Sequence, residues 1–575
     1  MNTLPLSISL CEPLEERIAP AALHTFVSAN KVTYVDPDGD LVTVASSKAA
    51  FTPGLGQFTW VLSGLGEQLQ KLALPVTAAG TSLSITAAPV AGHGDGFVNV
   101  GTIDVNKIDV SSITVHGDVV KILAGDSKTA TPAIGSLKLQ SMGRFGTSTQ
   151  DVADPKSVIK GAVGKMFVAS DVKGVWFGVA GTGAASQPDG IIGSLTIGGS
   201  LVGGATADTG EISATGGFGT VSIKGSIVGG AGSDSGRIAK SGSDNPVGTG
   251  VSNFKSLFIG GSIVGGGGSH SGEVESTGTI LTAKIVGNLE GGATAQTGRI
   301  EVAKDLPSLT IGGSVIGGRH SGAGEIIVGG VAKKIAITGD LLGGDNSTAS
   351  AISQTAYIQA AHIGAVTIGG SIVSGANSST GSLAKSGAIS SGNEIGSLAV
   401  LGDLRGNATA DVKITAKSAP AGGKLPAIGA ITVGGRVERT DILAGYDVAG
   451  VASDGTASIG KVSVLGDWVA SNLIAGFDAG ADGKFGTADD TRIGTPAIAS
   501  KIASITILGQ VSGTPANTIV PADPVNSDRF AFEASNVAAM KIGIATLPLT
   551  AALNTDLLVL SYTTGNDVVV KETFI

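Results

Sequence analysis

Residues Ser194–Gly204 read SLTIGGSLVGG, and near copies follow at Thr220–Gly230 (TVSIKGSIVGG), Ser256–Gly266 (SLFIGGSIVGG), Thr282–Gly292 (TAKIVGNLEGG) and Ser308–Gly318 (SLTIGGSVIGG). Further copies start near Lys334, Ala365, Ser397, Ala430, Lys461 and Ser504, with weaker ones at Ser112, Ser136 and Lys165. Anchored on the first apolar position of each unit, the step from Leu195 to Val221 equals the steps from Ala283 to Leu309 and from Leu309 to Ile335. That period, roughly 26 residues, lies in the range of solenoid repeats. Insertions are tolerated: the step from Ile113 to Leu137 is shorter and that from Val462 to Ile505 much longer. Within a unit the apolar residues alternate, as at Leu195 and Ile197, and period two means strand rather than helix. A second apolar position recurs at a constant offset from the first: Ile212, Ile238, Val274, Ile300, Ile326, Ile352 and Leu383. Each unit therefore predicts two or three short strands separated by glycine turns. A lone unit has no partner for its inward face or its backbone. Stacking units in parallel, ~4.8 Å apart, supplies both. The expected fold is all-β: a parallel β-solenoid of about 14 coils, a right-handed β-helix by the rule for parallel crossovers.

A register detail sharpens that expectation. The position just before the second apolar one holds Glu211, Arg237, Glu273, Arg299 and Glu325 in five consecutive units. Parallel stacking sets these side chains one above another, where alternating signs attract by roughly 0.2–1 kcal/mol per pair and like signs repel. Two positions earlier stand Thr209, Ser235, Ser271 and Thr297, a hydroxyl row with Gly after each.

Composition removes the competing classes. The chain has 575 residues with 91 Gly, and its 42% hydrophobic content is mostly aliphatic because aromatics are 4%. Abundant β-branched residues and a net charge of −9 disfavour disorder. Gly follows no three-residue period, so collagen fails. Cys11 is the single cysteine, so no disulfide framework exists. Every apolar run is interrupted well short of the ~20 residues of a membrane-spanning helix. With 37 basic against 46 acidic residues and no basic stripe, nucleic acid is not an expected partner. A mildly acidic, thiol-poor chain suits an extracellular setting, although Met1–Leu10 carries no Lys or Arg and gives no clear export signal. The expected organisation is a sorting-like segment at 1–24, a small β cap or sandwich at 25–104, the solenoid at 105–515 and a C-terminal cap at 516–575, since open parallel edges recruit other chains.

The stretch Cys11–Pro20 (CEPLEERIAP) resembles the short N-terminal motif, related to LEPR-XLL, of large β-strand-repeat surface proteins from Verrucomicrobia and Planctomycetes. Leu14, Glu15, Arg17, Ile18, Ala19 and Pro20 carry the match; Val32–Val44 (VTYVDPDGDLVTV), the glycine-rich units and the late DGKFGTADD segment look similar to the same group. The resemblance implies an exported, cell-surface or extracellular β-repeat protein and implies no enzymatic activity.

Two acidic clusters are candidate calcium ligands. In Asp478–Asp490 (DAGADGKFGTADD), Asp478, Asp482, Gly483 and Asp489 fall at loop positions 1, 5, 6 and 12, partly following a calcium-binding loop, with Asp490 available for a further oxygen. The weaker candidate is Asp36, Asp38 and Asp40 in DPDGD, where the same residues also make an ordinary hairpin turn. Asp118, Asp171, Asp340, Asp403 and Asp467 alternate with Ser200, Ser226, Ser262, Asn288 and Ser314 at one position of the unit and read as turn residues needing a local side-chain hydrogen bond. The six histidines make no zinc spacing. His270 and His320 beside Ser271 and Ser321 read as loop residues rather than catalytic pairs, and Trp60, Trp176 and Trp468 as packing. No catalytic or organic-cofactor residue is assigned.

The leading reading is a non-catalytic exported structural or adhesive rod, stabilised by calcium, contacting cell-surface or matrix components such as polysaccharide. The alternative is an extracellular polysaccharide lyase or glycoside hydrolase of the β-helix type, which needs acids, bases or cation-binding carboxylates converging in one groove. For an autotransporter passenger, no C-terminal run resembles the expected membrane barrel.

Overall fold

The computed structural model describes residues 23–573 apart from 91, 127, 129–130, 146–151, 183–188, 242–253, 419–425, 496–497, 515–528, 551–555 and 561–566. The N-terminal motif Cys11–Pro20 lies outside the described residues. The chain is an all-β solenoid whose coils contribute to three parallel ladders.

The first ladder is built from the strands that open each unit: Ile191–Ile197, Gly217–Ile223, Ser256–Ile259, Thr282–Ile285 and Ser308–Ile311 lie edge to edge in register. Leu195, Val221, Leu257, Ala283 and Leu309 stack, and so do Ile197, Ile223, Ile259, Ile285 and Ile311. The second ladder consists of two-residue strands after the first Gly turn, placing Leu201, Ile227, Ile263, Leu289 and Val315 in a column. The third stacks Ile212, Ile238, Val274, Ile300, Ile326, Ile358 and Ile389. All of these residues are buried. At roughly 1.5–3 kcal/mol for each buried aliphatic side chain, the columns outweigh what any one coil could supply alone.

The third column corrects one expectation. A constant offset places Ile352 and Leu383 beneath Ile326, but these two pair with each other at the start of their strands, and Ile358 and Ile389 take the column. The third strand is longer in these coils, beginning at Ile352 and Leu383 ahead of the stacked segment, so the inward position moves on along the chain from Ile352 to Ile358 and from Leu383 to Ile389. The extra chain is organised by asparagines. The Asn346 and Asn377 carboxamide oxygens accept from the Thr348 and Ser379 amides (2.9 and 3.2 Å), and Asn346 bridges to Asn377 in the next coil; Asn407 makes the same bond with the Thr409 amide (2.9 Å) in a coil without the extra chain.

The turn row of Asp, Ser and Asn has its own logic. The side chain of each coil accepts a hydrogen bond from the equivalent backbone amide of the next: the Ser200 amide donates to Asp171, Ser226 to Ser200, Ser262 to Ser226, Asn288 to Ser262, Ser314 to Asn288, Asp340 to Ser314 and Ser371 to Asp340, all within 2.7–3.1 Å. The bond expected to be local instead joins coils. The hydroxyl row behaves the other way. Thr209, Ser235, Ser271 and Thr297 accept from the Gly204, Gly230, Gly266 and Gly292 amides (2.8–2.9 Å) and donate to the Thr206, Gly232, Gly268 and Thr294 carbonyls (2.6–2.9 Å), so each closes its own loop. Replacing Ser262 with Ala is expected to destabilise its coil by about 1 kcal/mol, because the Asn288 amide loses its acceptor. Faster hydrogen exchange at Asn288 measures this, and Ser262→Asn should restore protection, as Asn288 itself serves the next coil.

At the N-terminal end, His24–Ser28, Lys31–Val35, Leu41–Ser46 and Ser82–Ala88 form an antiparallel meander whose last strand pairs in parallel with Val110–Gly125 and so starts the first ladder. The hairpin Phe58–Ser63/Gly66–Ala73 does the same for the third, through Leu69 opposite Val100. Phe26, Tyr34, Phe51, Phe58 and Trp60 pack together over this end. At the other end the ladders run on past residue 515: Ile505 pairs with Met540, and Phe530–Ala534 pairs with Val568–Glu572. No helix of the described residues is long and apolar enough to cross a membrane.

Candidate functional site

Four places concentrate ionisable groups. The first is the column Glu211, Arg237, Glu273, Arg299, whose backbones are direct parallel neighbours. Arg299 lies 2.7 Å from Glu325 through Nε, 3.6 Å from Glu273 through Nη1 and 2.6 Å from Glu301 through Nη2. Arg237 approaches Glu273 at 3.4 Å and Asp234 at 2.7 Å, and also pairs with Glu275. Glu273 is fully buried, and burial, opposed by the two arginines, pushes its pKa up to about 7. Burial also raises Glu211 and Glu325. The column is a structural charge ladder, with its charges directed at one another.

His270 sits in a loop beside this column in the left-handed backbone region (φ 54°), the position Asp208, Asp234 and Gln296 occupy in neighbouring coils. Burial holds its pKa below the ordinary value. Ser271 Oγ is committed to the Gly266 amide and the Gly268 carbonyl, so the two residues form no nucleophile–base pair.

The Asp478–Asp490 loop is closed by antiparallel pairing of Phe477–Asp478 with Thr491–Arg492 and anchored by Phe485, which packs with Tyr446, Phe477, Ala531 and Val569. Its carboxylates hold the loop's own shape. Asp489 accepts from the Ala481 and Asp482 amides (2.8 and 3.2 Å) and from Thr487 Oγ1 (2.6 Å), and the Thr487 hydroxyl, with those amides, lowers its pKa. Asp482 accepts from the Lys484 amide (2.8 Å), while Asp478 is exposed on its strand. Asp490 turns inward. Its buried carboxylate accepts from the Gly486 amide (2.7 Å) and lies 2.8 Å from Lys571 Nζ, which in turn lies 3.0 Å from the buried Glu533. Burial and the Asp490 charge push Glu533 up to about 8, against the pull of Lys571. Nothing in the sequence marks Glu533 and Lys571; only their direct pairing across the third ladder reveals them.

Asp36, Asp38 and Asp40 form the turn between Lys31–Val35 and Leu41–Ser46. One oxygen from each lies within 4.8 Å of the others, and among the described residues this is the single group of three or more acidic, histidine or cysteine side chains so gathered. Asp36 Oδ1 accepts from the Gly39 and Asp40 amides (3.1 and 2.8 Å), and Gly39 takes a φ of 104° to complete the turn. A second loop closes over them. The Asp95 amide donates to Asp38 Oδ2 (3.1 Å) and the Gly96 amide to Asp40 Oδ2 (2.7 Å), and a side chain at Gly94 would collide with the Asp40 carboxylate. Asp36 and Asp40 are buried and Asp38 is exposed. Burial, reinforced by Asp38, pushes Asp36 up to about 8; burial also raises Asp40, whereas its bond with Asp36 lowers Asp38. Of the two calcium candidates in the sequence, the weaker is the one whose carboxylates gather, while in the other loop Asp490 meets the Lys571 ammonium and Asp489 the Thr487 hydroxyl.

No family model, curated protein or solved structure matches the chain.

Proposed function

We propose that the chain is a non-catalytic structural or adhesive rod, exported to the cell surface or extracellular space, that meets matrix components such as polysaccharide along a ladder face. The observation that carries this reading is the outward side of the first ladder. There Ser194, Thr220, Ser256, Thr282 and Ser308 form one row and Thr196, Ser222, Phe258, Lys284 and Thr310 the next, in register. All but Phe258 and Lys284 carry a hydroxyl, so the strip offers many shallow hydrogen bonds repeated at the inter-strand spacing of about 4.8 Å, and it has little charge with which to perform acid–base chemistry. The resemblance of Leu14–Pro20 to the motif of exported repeat proteins supports the location.

Fractionation of producing cells, with the protein expected in the envelope or medium, tests the location. Incubation of the purified chain with acidic polysaccharides tests the mechanism: retention on the polymer without release of oligosaccharides is expected. Turnover abolished by Asp482→Asn with Asp489→Asn would instead establish a lyase or hydrolase.

A further inference from the structure

We propose that Asp36, Asp38 and Asp40 bind one hard divalent cation, calcium, which clips the first hairpin to the Asp95–Gly96 loop and so locks the N-terminal end of the solenoid. Three observations carry this independently of the surface-rod reading. The three carboxylates converge, within 4.8 Å, on a turn of a few residues. Asp40 is fully buried with Oδ2 held by the Gly96 amide, yet its Oδ1 has no hydrogen-bond partner. A buried carboxylate oxygen left without a donor is costly, and a cation is the partner that satisfies it. The charges felt most strongly at Asp36 and Asp40 are those of Asp38, Asp40 and Asp95, all of one sign. The gathered side chains offer only oxygen, which selects a hard ion over zinc or copper.

The position gives the ion a mechanical role. Leu41–Ser46, directly after the site, pairs with the strand that starts the first ladder. Val98–Asn106, shortly after Gly96, follows Gly66–Ala73 as the next strand of the third. One ion would therefore hold the origins of two ladders together, where a solenoid lacks the stabilising neighbour that every interior coil has.

The full-length chain, freed of metal with a chelator, is titrated with terbium while its aromatic residues are excited. Tyr34 feels the Asp36 charge and its ring centre lies 4.5 Å from that of Trp60, so sensitised emission is expected, displaced by calcium. Millimolar calcium should also slow hydrogen exchange in Lys31–Ser46 and Val98–Asn106. Asp38→Asn, at an exposed position that keeps the turn's amide bonds, should weaken calcium by about tenfold or more, since ligand charge sets affinity. The Asp482→Asn, Asp489→Asn pair should leave it unchanged. No emission, an unchanged affinity in Asp38→Asn with a native circular dichroism spectrum, or loss only in the paired loop variant each overturns the proposal.

Discussion

Replacing Arg299 with Ala should cost about 3–5 kcal/mol, because it leaves carboxylates buried without their cation. Glu273 keeps Arg237, but the buried Glu325 loses the guanidinium 2.7 Å away. The deficit should depend on pH in a defined direction. Glu273 is at about 7 in the folded chain against 4.5 as a free side chain, so the folded state binds protons that the unfolded state has released between those values. Its contribution to stability is therefore greatest below about pH 4.5 and falls as pH rises to about 7. Losing Arg299 raises the folded-state values of Glu273 and Glu325 further, so the variant's deficit should be larger at about pH 8 than at about pH 5. The groups acting on Glu273 are Arg237, Arg299, Glu301 and Asp234. Thermal melting and hydrogen exchange at Val274 and Ile300, at both pH values, measure the effect; equal deficits would mean that the column is solvated. Local readout matters because long repeat arrays need not unfold in two states.

Gly265→Ala should be the next most damaging change, at about 3 kcal/mol, for a reason invisible within one coil. An added Cβ would lie 2.5 Å from the Gly292 nitrogen and 2.8 Å from the Gly298 nitrogen, backbone atoms of the following coil that cannot move aside. Gly203, Gly229 and Gly291 meet the same obstruction in their own coils. Gly267→Ala is the control. It is exposed in the same loop, and its Cβ would meet nothing closer than 3.7 Å, so a change within about 0.5 kcal/mol is expected. Exchange at Leu289 and Gly291 should rise in the first variant and stay put in the second; equal behaviour would show that the coils separate freely.

Much of the ladder architecture was legible because a strand is read locally and a solenoid repeats the reading. Alternation at Leu195 and Ile197 names the inward side, and a recurring Gly-Gly sets where the chain turns. The Glu211–Arg237–Glu273–Arg299 register followed from counting alone. Counting failed at Ile352 and Leu383, because extra residues at the start of the third strand shift the inward position to Ile358 and Ile389. The turn row was read for the right residue types but with the wrong partner: Asp, Ser and Asn favour local amides in isolated turns, whereas here the next coil's amide takes the bond.

The candidate sites were legible as composition and not as geometry. Asp478, Asp482, Asp489 and Asp490 have the better spacing on paper, yet spacing says nothing about competing donors. Lys571 reaches Asp490 from far along the chain, and the loop's own amides take Asp482 and Asp489. Asp40 is perturbed where the distant Asp95–Gly96 loop closes on it, and the penalty on a charge depends on what excludes water from it. The sequence by itself determined which side chains face inward and which coil follows which, since those depend on period alone. Only the tertiary structure decided which carboxylates gather on one turn and which meet an ammonium or a hydroxyl, since that depends on contacts between segments far apart in the chain.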